Sequence, residues 1–188
     1  MRDEGHSFDP QLEDPHADAT TPHPVLISDT ESRPTPAMRT AIANAEVGDE
    51  QRGEDPTVNR LQSRVAELLG KEAALWFPGG TMCNFVAIKV HTRPADAVLA
   101  DWMAHVIRAE SAGVAFSSAV HVEPIVTERG IFGVDDLRAA LRRLRTTPSP
   151  YAPMPRVICV EQTHNFGGGA VWTCAPPASN PQARTTTY

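Results

Sequence analysis

A glycine pair followed by threonine, Gly79-Gly80-Thr81, stands between an apolar run and a helical pattern. At such a position the exposed backbone N–H groups and the positive end of the helix dipole favour a phosphate. The glycines let the backbone approach a ligand closely, and the hydroxyl of Thr81 adds a donor. A Gly-Gly pair on its own is more often a simple turn, so this segment predicts a binding site only together with other groups.

Two histidines follow other apolar runs in a similar way. His105 lies after residues 97–100, and His164 lies in the segment 163–165, which precedes the glycines of 167–169. Open parallel sheets bind ligands at the carboxyl ends of their strands, where both segments are expected. A lone histidine is more often an ordinary surface or core residue. Three such loops at one edge of a sheet nevertheless predict a site.

Alternating helix and strand patterns have to position these loops. Helices are predicted from the cap at Thr35-Pro36, from Asp55-Pro56 to a stop at Gly70, over 81–91, around His105, and from Asp135 through 144. Strands are predicted over 73–77, 97–100, 114–116, 122–126 and 156–161. Strands that alternate with helices indicate an α/β fold with a largely parallel sheet covered on both faces.

The composition divides the chain into three parts. Residues 1–24 are acidic and polar, which predicts a disordered tail, whereas order is expected to begin near residues 25–27. Residues 25–172 carry the patterned domain. Residues 173–188 contain no Val, Ile, Leu, Met or Phe, so they are predicted to form an aberrant or disordered C-terminal tail.

Charge and cysteine content exclude several classes of protein. The formal net charge of −6 gives no general basic surface for nucleic acid, and the arginines of 141–145 fit a solvated helix face. Three cysteines argue against a disulfide framework or a zinc cluster, and the N-terminal histidines lack metal-ligand spacing. No segment resembles a signal peptide or a bilayer-spanning run, so we expect a cytoplasmic protein without membrane or nucleic-acid partners.

Ordered blocks of the sequence closely resemble successive blocks of the L-threonine aldolases, within the wider group of β-eliminating lyases. The blocks are Ser28-Asp-Thr30, Arg33-Pro-Thr-Pro-Ala-Met-Arg39, Ala45-Glu-Val-Gly-Asp49, Gly53-Glu-Asp-Pro-Thr-Val-Asn-Arg-Leu61, Gly70-Lys-Glu-Ala-Ala-Leu75, Gly80-Thr-Met82 with Asn84, His91-Thr-Arg-Pro94, and Glu161 to Asn165 with Gly168-Gly169. Their order in the chain is the order of the family.

This resemblance implies part of a fold-type I large domain, with pyridoxal 5′-phosphate (PLP) as cofactor. It implies a retro-aldol reaction that splits L-threonine or L-allo-threonine into glycine and acetaldehyde, with PLP taking up the electrons of the broken Cα–Cβ bond. A base has to remove the proton of the β-hydroxyl group. Members of the family assemble as dimers or tetramers, so a homo-oligomer acting on a small amino acid is expected.

By position, the resemblance gives four residues a role. Gly80 and Thr81 correspond to the phosphate cradle, and His105 corresponds to the imidazole stacked on the pyridine ring. His105 is also the candidate for the base or for the group that orients a water, and the sequence does not separate those roles. Ser28 resembles a residue near the substrate carboxylate.

Departures from the family pattern leave the substrate open. Arg52 stands where the family commonly has Tyr, Gly79 stands where it has Ser, and Tyr151 aligns with a family His. Cleavage of a β-hydroxy aromatic amino acid, or a β-elimination, therefore stays an alternative.

The Schiff-base lysine of the family has no counterpart among these 188 residues. Lys71 matches a family lysine that is not catalytic, and Lys89 falls inside an apolar helical pattern. The family's Asp that pairs with the pyridine nitrogen and a nearby Arg are missing too. We expect a truncated lyase that is inactive alone. The alternative is a non-catalytic half-domain that binds the phosphate of PLP or associates with an intact relative.

An abrupt change of composition after Trp172 predicts a frameshift or premature stop at that point. Sequencing the downstream DNA is expected to reveal the homologous remainder of the domain in another reading frame. A downstream sequence without such a remainder would contradict this expectation.

Overall fold

The computed structural model describes residues 29–173 and has the predicted α/β architecture. The chain divides into two compact units, Met1–Ala74 and Leu75–Tyr188. Predictions that concern Ser28, residues 1–27 and residues 174–188 lie outside the described residues. No helix in the described part is long and apolar enough to cross a bilayer.

The first unit contains two helices, α1 at Pro36–Ala43 and α2 at Pro56–Leu69. Short 3-10 turns lie at Asp29–Glu31 and Glu50–Arg52. The hydroxyl of Thr35 accepts the N–H of Met38 at 3.2 Å and caps α1. The helix start predicted from Thr35-Pro36 is therefore confirmed.

Asp55 caps α2 with one carboxylate oxygen and binds the preceding loop with the other. Oδ1 accepts the N–H groups of Val58 at 2.8 Å and Thr57 at 2.9 Å, and Oδ2 accepts the N–H of Gly48 at 3.0 Å. Gly70 ends the helix in the left-handed conformation, with φ of +60°. Both boundaries of this helix follow from local sequence, as predicted.

Seven elements form the second unit. They are α3 at Gly80–His91, β1 at Asp96–Asp101, α4 at His105–Arg108, α5 at Gly113–Ser118, β2 at His121–Ile125, α6 at Val134–Leu144 and β3 at Met154–Ile158. The strand order is β2-β1-β3, and both neighbours pair with β1 in parallel. The predicted parallel sheet is confirmed, with β1 at its centre.

Every residue of β1 is buried, because helices cover the sheet on both faces. On one face Leu99 packs with Ile125 and with Ala140 and Leu144 of α6. On the other face Val98 packs with Ile88 of α3 and Val114 of α5. Alternate side chains of one strand thus join two cores, as expected for a strand covered on both faces.

Two predicted strands are wrong. Residues 73–77 pair with no strand in the described chain, and Leu75 there is 69% exposed. Residues 114–116 lie in α5, where Val114 is buried and Phe116 is 91% exposed. A short apolar run has no period that distinguishes a strand from a helix turn, and a strand also needs a partner. In addition, β3 begins and ends earlier than the predicted 156–161.

The Asp55 cap predicts a pH dependence of stability. Hydrogen bonds from the backbone N–H groups of Val58, Gly48 and Thr57 lower the pKa of the Asp55 carboxyl, against an opposing effect of burial. A lowered folded pKa means that the stabilisation is complete above the unfolded value of about 3.9 and is lost as pH falls through the folded value. An Asp55→Asn variant retains a capping oxygen that does not titrate. The thermal midpoint of the wild type should therefore exceed that of Asp55→Asn near neutral pH.

Circular dichroism melts at a series of acidic pH values measure this effect. The difference between the two midpoints should shrink as the carboxyl becomes protonated. Asp135→Asn is the matched control, because that carboxylate is 95% exposed. If the thermal midpoints of the wild type and Asp55→Asn differ by the same amount at low pH as at neutral pH, the role of the Asp55 charge is contradicted.

Candidate functional site at the carboxyl edge of the sheet

Asp101 is the last residue of β1 and lies at the carboxyl edge of the sheet with only 2% of its surface exposed. Its Oδ1 accepts the N–H of Met103 at 2.9 Å, and its Oδ2 accepts the hydroxyl of Thr127 at 2.7 Å. The Thr127 oxygen in turn accepts the N–H of Gly130 at 2.7 Å. One buried carboxylate therefore fixes the loops that follow β1 and β2.

His164 is 1% exposed and packs beneath the same loops. Its Nδ1 accepts the N–H of Gly167 at 3.0 Å, which places the proton of the neutral ring on Nε2. That Nε2 lies 3.2 Å from Oδ1 of Asp101, yet the alignment is not that of a hydrogen bond. The distance still permits an electrostatic contact. This candidate histidine therefore has a buried structural position at the site's edge.

Glu161 connects the loop after β3 with the start of α4. Its Oε2 accepts the N–H of His105 at 2.8 Å, and its Oε1 accepts the N–H of Asn165 at 2.8 Å. Ala104 precedes α4 and has no capping side chain, so a carboxylate distant in sequence binds the helix start instead. The sequence prediction placed Glu161 at the end of a strand and missed this contact.

The ring of His105 is 40% exposed and contacts a buried carboxylate. Its Nδ1 lies 2.7 Å from Oε1 of Glu110, and the side-chain amide of Asn84 donates to the same oxygen at 2.6 Å. Asn84 lies on α3 and Glu110 lies between α4 and α5, so one oxygen joins three parts of the unit. Sequence reasoning missed Glu110, since no local spacing connects it with Asn84.

The amino end of α3 carries the predicted phosphate segment. Gly79 is the N-cap in an extended conformation, and no side chain caps the helix. A Cβ added to Gly79 or Gly80 would meet nothing within 4 Å, and both residues are exposed, so the start of the helix is open to solvent. Gly80 and Asn84 are four residues apart and share a helix face, which directs Gly80 toward the side that contacts Glu110. The segment therefore fits a phosphate group.

A cavity of about 240 Å³ lies elsewhere, at the amino edge of the sheet. Its lining is Val90, His91, Thr92, Arg93, Asp96 and Arg156. Asp96 begins β1, and its carboxylate accepts the N–H of Arg93 at 2.8 Å and lies 3.5 Å from Nε of Arg156. These contacts brace the connection into the strand at the edge opposite His105. Among the described residues no cluster of His, Cys, Asp and Glu could hold a metal ion.

Gly130 is required where the loop after β2 passes His164. Its φ is +82°, and an added Cβ would overlap the His164 ring. Gly168 has a φ of +73° with nothing within 4 Å of an added Cβ. Its substitution by alanine therefore measures only the free-energy cost of a positive φ. That cost is roughly 1–2 kcal/mol for a residue with a side chain. Gly130→Ala should lower the free energy of unfolding by clearly more than Gly168→Ala.

Urea unfolding of the two variants, followed by tryptophan fluorescence and circular dichroism, measures the difference. Equal losses in both variants would mean that the His164 ring moves aside at little cost.

Comparisons with known proteins agree with this fold. The β-eliminating lyase family model matches residues 26–177. Over 147 residues the chain is 40% identical to low-specificity L-threonine aldolase 1 of Arabidopsis thaliana, covering 77% of this chain and 40% of that protein. Over 140 residues it is 36% identical to the low specificity L-threonine aldolase of Escherichia coli K12, covering 74% of this chain and 41% of that protein.

A solved structure of Leishmania major threonine aldolase has the same fold over 68% of this chain and 36% of that chain, with a TM-score of 0.54 and 23% identity. The chain thus spans about 40% of the length of the curated relatives above. The family match covers all of the described residues and includes parts of both compact units. The chain belongs to the β-eliminating lyase family, whose fold is that of the type I PLP-dependent enzymes.

Proposed function

We propose that this chain supplies the phosphate-binding and ring-facing part of a threonine-aldolase-like lyase. PLP is the cofactor of the family, and when bound it acts as the electron sink for cleavage at the Cα of an amino acid. One observation supports the proposal above the others. Asn84, one turn past the open amino end of α3, and the ring of His105 are joined through a single oxygen of Glu110.

Each candidate residue then has a task. The backbone N–H groups at Gly80 and Thr81, with the Thr81 hydroxyl, bind the phosphate at the positive end of the α3 dipole. With the cofactor bound, the exposed part of the His105 ring would contact the pyridine ring and would hold or move the proton of the substrate β-hydroxyl, either directly or through a water. For Ser28, which lies outside the described residues, the expectation of a place near the substrate carboxylate rests on the family resemblance alone. A carbon–carbon cleavage of L-threonine or L-allo-threonine is the favoured reaction.

We propose further that the 188 residues alone do not complete this reaction. Lys89 lies about 13 Å further along α3 than Gly80, given a rise of 1.5 Å per residue. Its Nζ donates to the carbonyl of Ser117 at 2.9 Å. Lys71 follows Gly70, the C-cap of α2, and matches a family lysine that is not catalytic. The position of Lys89 and the family match of Lys71 support the expectation that neither lysine serves as the Schiff-base residue.

A second candidate function is a non-catalytic half-domain that binds the phosphate of PLP or associates with an intact relative. The uncapped amino end of α3 favours it, because that segment needs no lysine to bind an anion. Cleavage of another β-hydroxy amino acid or a β-elimination stays an alternative for the complete enzyme.

The phosphate site is tested with PLP and with pyridoxal, which lacks the phosphate. Binding to the purified chain is measured by ³¹P NMR and tryptophan fluorescence. We expect PLP to bind more tightly than pyridoxal, and Thr81→Val to weaken PLP about tenfold, the effect of one lost hydrogen bond to a charged group. Thr92→Val, which changes a threonine at the opposite end of α3, is the matched control.

Activity is measured in the same samples. We expect no release of acetaldehyde from threonine and, after borohydride reduction, no lysine selectively modified by PLP. Robust turnover would overturn the proposed inactivity. Equal affinity for PLP and pyridoxal would instead overturn the phosphate site.

A further inference from the structure

Glu110 is a fully buried carboxylate next to a partly exposed histidine. Its side chain has 0% exposure, whereas the His105 ring is 40% exposed. Oε1 accepts the Asn84 amide at 2.6 Å and lies 2.7 Å from Nδ1 of His105, while Oε2 has no partner. Buried polar atoms in native proteins are nearly always hydrogen-bonded, and an exception calls for an explanation. The burial places this charge where it acts on His105 at short range.

The contacts of Oε1 determine which nitrogen of His105 carries a proton. A carboxylate oxygen only accepts, so the amide of Asn84 and the Nδ1 of His105 both have to donate to it. The neutral ring therefore has its proton on Nδ1, and Nε2 has a free lone pair. A ring bound in this way by a carboxylate has its tautomer and its orientation fixed together.

The backbone holds both partners in place. The N–H of His105 donates to Glu161 at 2.8 Å, and the carbonyl of Glu110 accepts the N–H of Gly113 at 2.7 Å. Between Glu110 and Gly113, the residues Ser111 and Ala112 have positive φ values of 50° and 57°. Such conformations are unfavourable for residues with a side chain and persist only where surrounding contacts impose them. The turn that leads from Glu110 into α5 is therefore imposed by its contacts, and it holds the backbone of Glu110 at one end.

The thiol of Cys159 does not compete as a second anion near Glu110. Burial, together with the nearby Glu110 charge, raises the pKa of the Cys159 thiol to about 12. Cys159 is consequently a neutral thiol near pH 7 and leaves Glu110 as the carboxylate in contact with the ring.

We infer that Glu110 is a positioning residue, which holds His105 as the Nδ1–H tautomer and thereby presents the Nε2 lone pair to the reacting proton. The consequence for catalysis rests on the proposed function, in which His105 faces the cofactor and substrate. The tautomer itself is a property of this chain and requires neither. Glu110 acts through His105, since its own carboxylate is buried.

The test is the tautomer of His105 in the full 188-residue chain without cofactor. Long-range ¹H–¹⁵N NMR of ¹⁵N-histidine protein distinguishes a ring protonated at Nδ1 from one protonated at Nε2, and His105→Gln assigns the resonance. We expect the Nδ1–H form in the wild type. In Glu110→Gln, whose amide can donate to Nδ1, the ratio of the Nδ1–H to the Nε2–H form should fall about tenfold or more.

Asn84→Ala is the matched control. It removes the other contact of Oε1 and the connection to α3, but leaves Glu110 beside His105. A positioning role predicts that Asn84→Ala retains the Nδ1–H form, whereas a merely structural role predicts similar changes in both variants. If Glu110→Gln does not fold, the wild-type spectrum decides, because an Nε2–H ring there overturns the inference.

PLP binding, measured separately by ³¹P NMR, distinguishes the two proposals. Failure to bind PLP with an intact Nδ1–H tautomer would count against the proposed function and leave the positioning role standing. An Nε2–H ring with normal PLP binding would overturn the positioning role and leave the proposed function standing.

Discussion

Carboxylates at the carboxyl edge of the sheet, buried at Asp101 and partly buried at Glu161, are the constraint on which the rest of the site depends. A parallel sheet ends in loops whose N–H groups have no strand partner, and here Asp101 and Glu161 accept them. Asp101 binds the loops after β1 and β2, and Glu161 binds the loop after β3 to the start of α4. The position of His105 is thus set by a carboxylate that lies 56 residues further along the chain.

Such groups contribute more to geometry than to stability. A buried charge loses hydration, and its hydrogen bonds regain only part of that free energy. Removing one partner leaves an uncompensated charge, so the arrangement tolerates few alternatives. Glu110 is the extreme case, because its Oε2 has no partner at all. An apolar residue at this position would fill the same space without the desolvation free energy of a buried charge. The carboxylate is therefore consistent with a role that acts on His105.

The sequence predicts what depends on neighbours in the chain. Thr35 and Asp55 cap helices through N–H groups two or three residues away, and those boundaries were found correctly. The position of His105 after a strand was predicted because residues 97–100, at the centre of β1, are all apolar. Glu110 was missed because its contact with Asn84 spans 26 residues and exists only once α3 packs on the sheet. The wrong strands at 73–77 and 114–116 have the same cause, since pairing and burial are tertiary.

Helix α3 links the core to the site through one stripe of residues. Gly80, Asn84 and Ile88 recur every four positions, so they lie along one side of the helix. Ile88 is 4% exposed in the core beneath the sheet, Asn84 contacts Glu110, and Gly80 opens the phosphate segment. Gly113 lets α5 approach this helix, since an added Cβ would overlap Phe85. The rotation of α3 that buries Ile88 therefore also fixes the direction of Asn84. Core packing thus acts on His105 through Asn84 and Glu110.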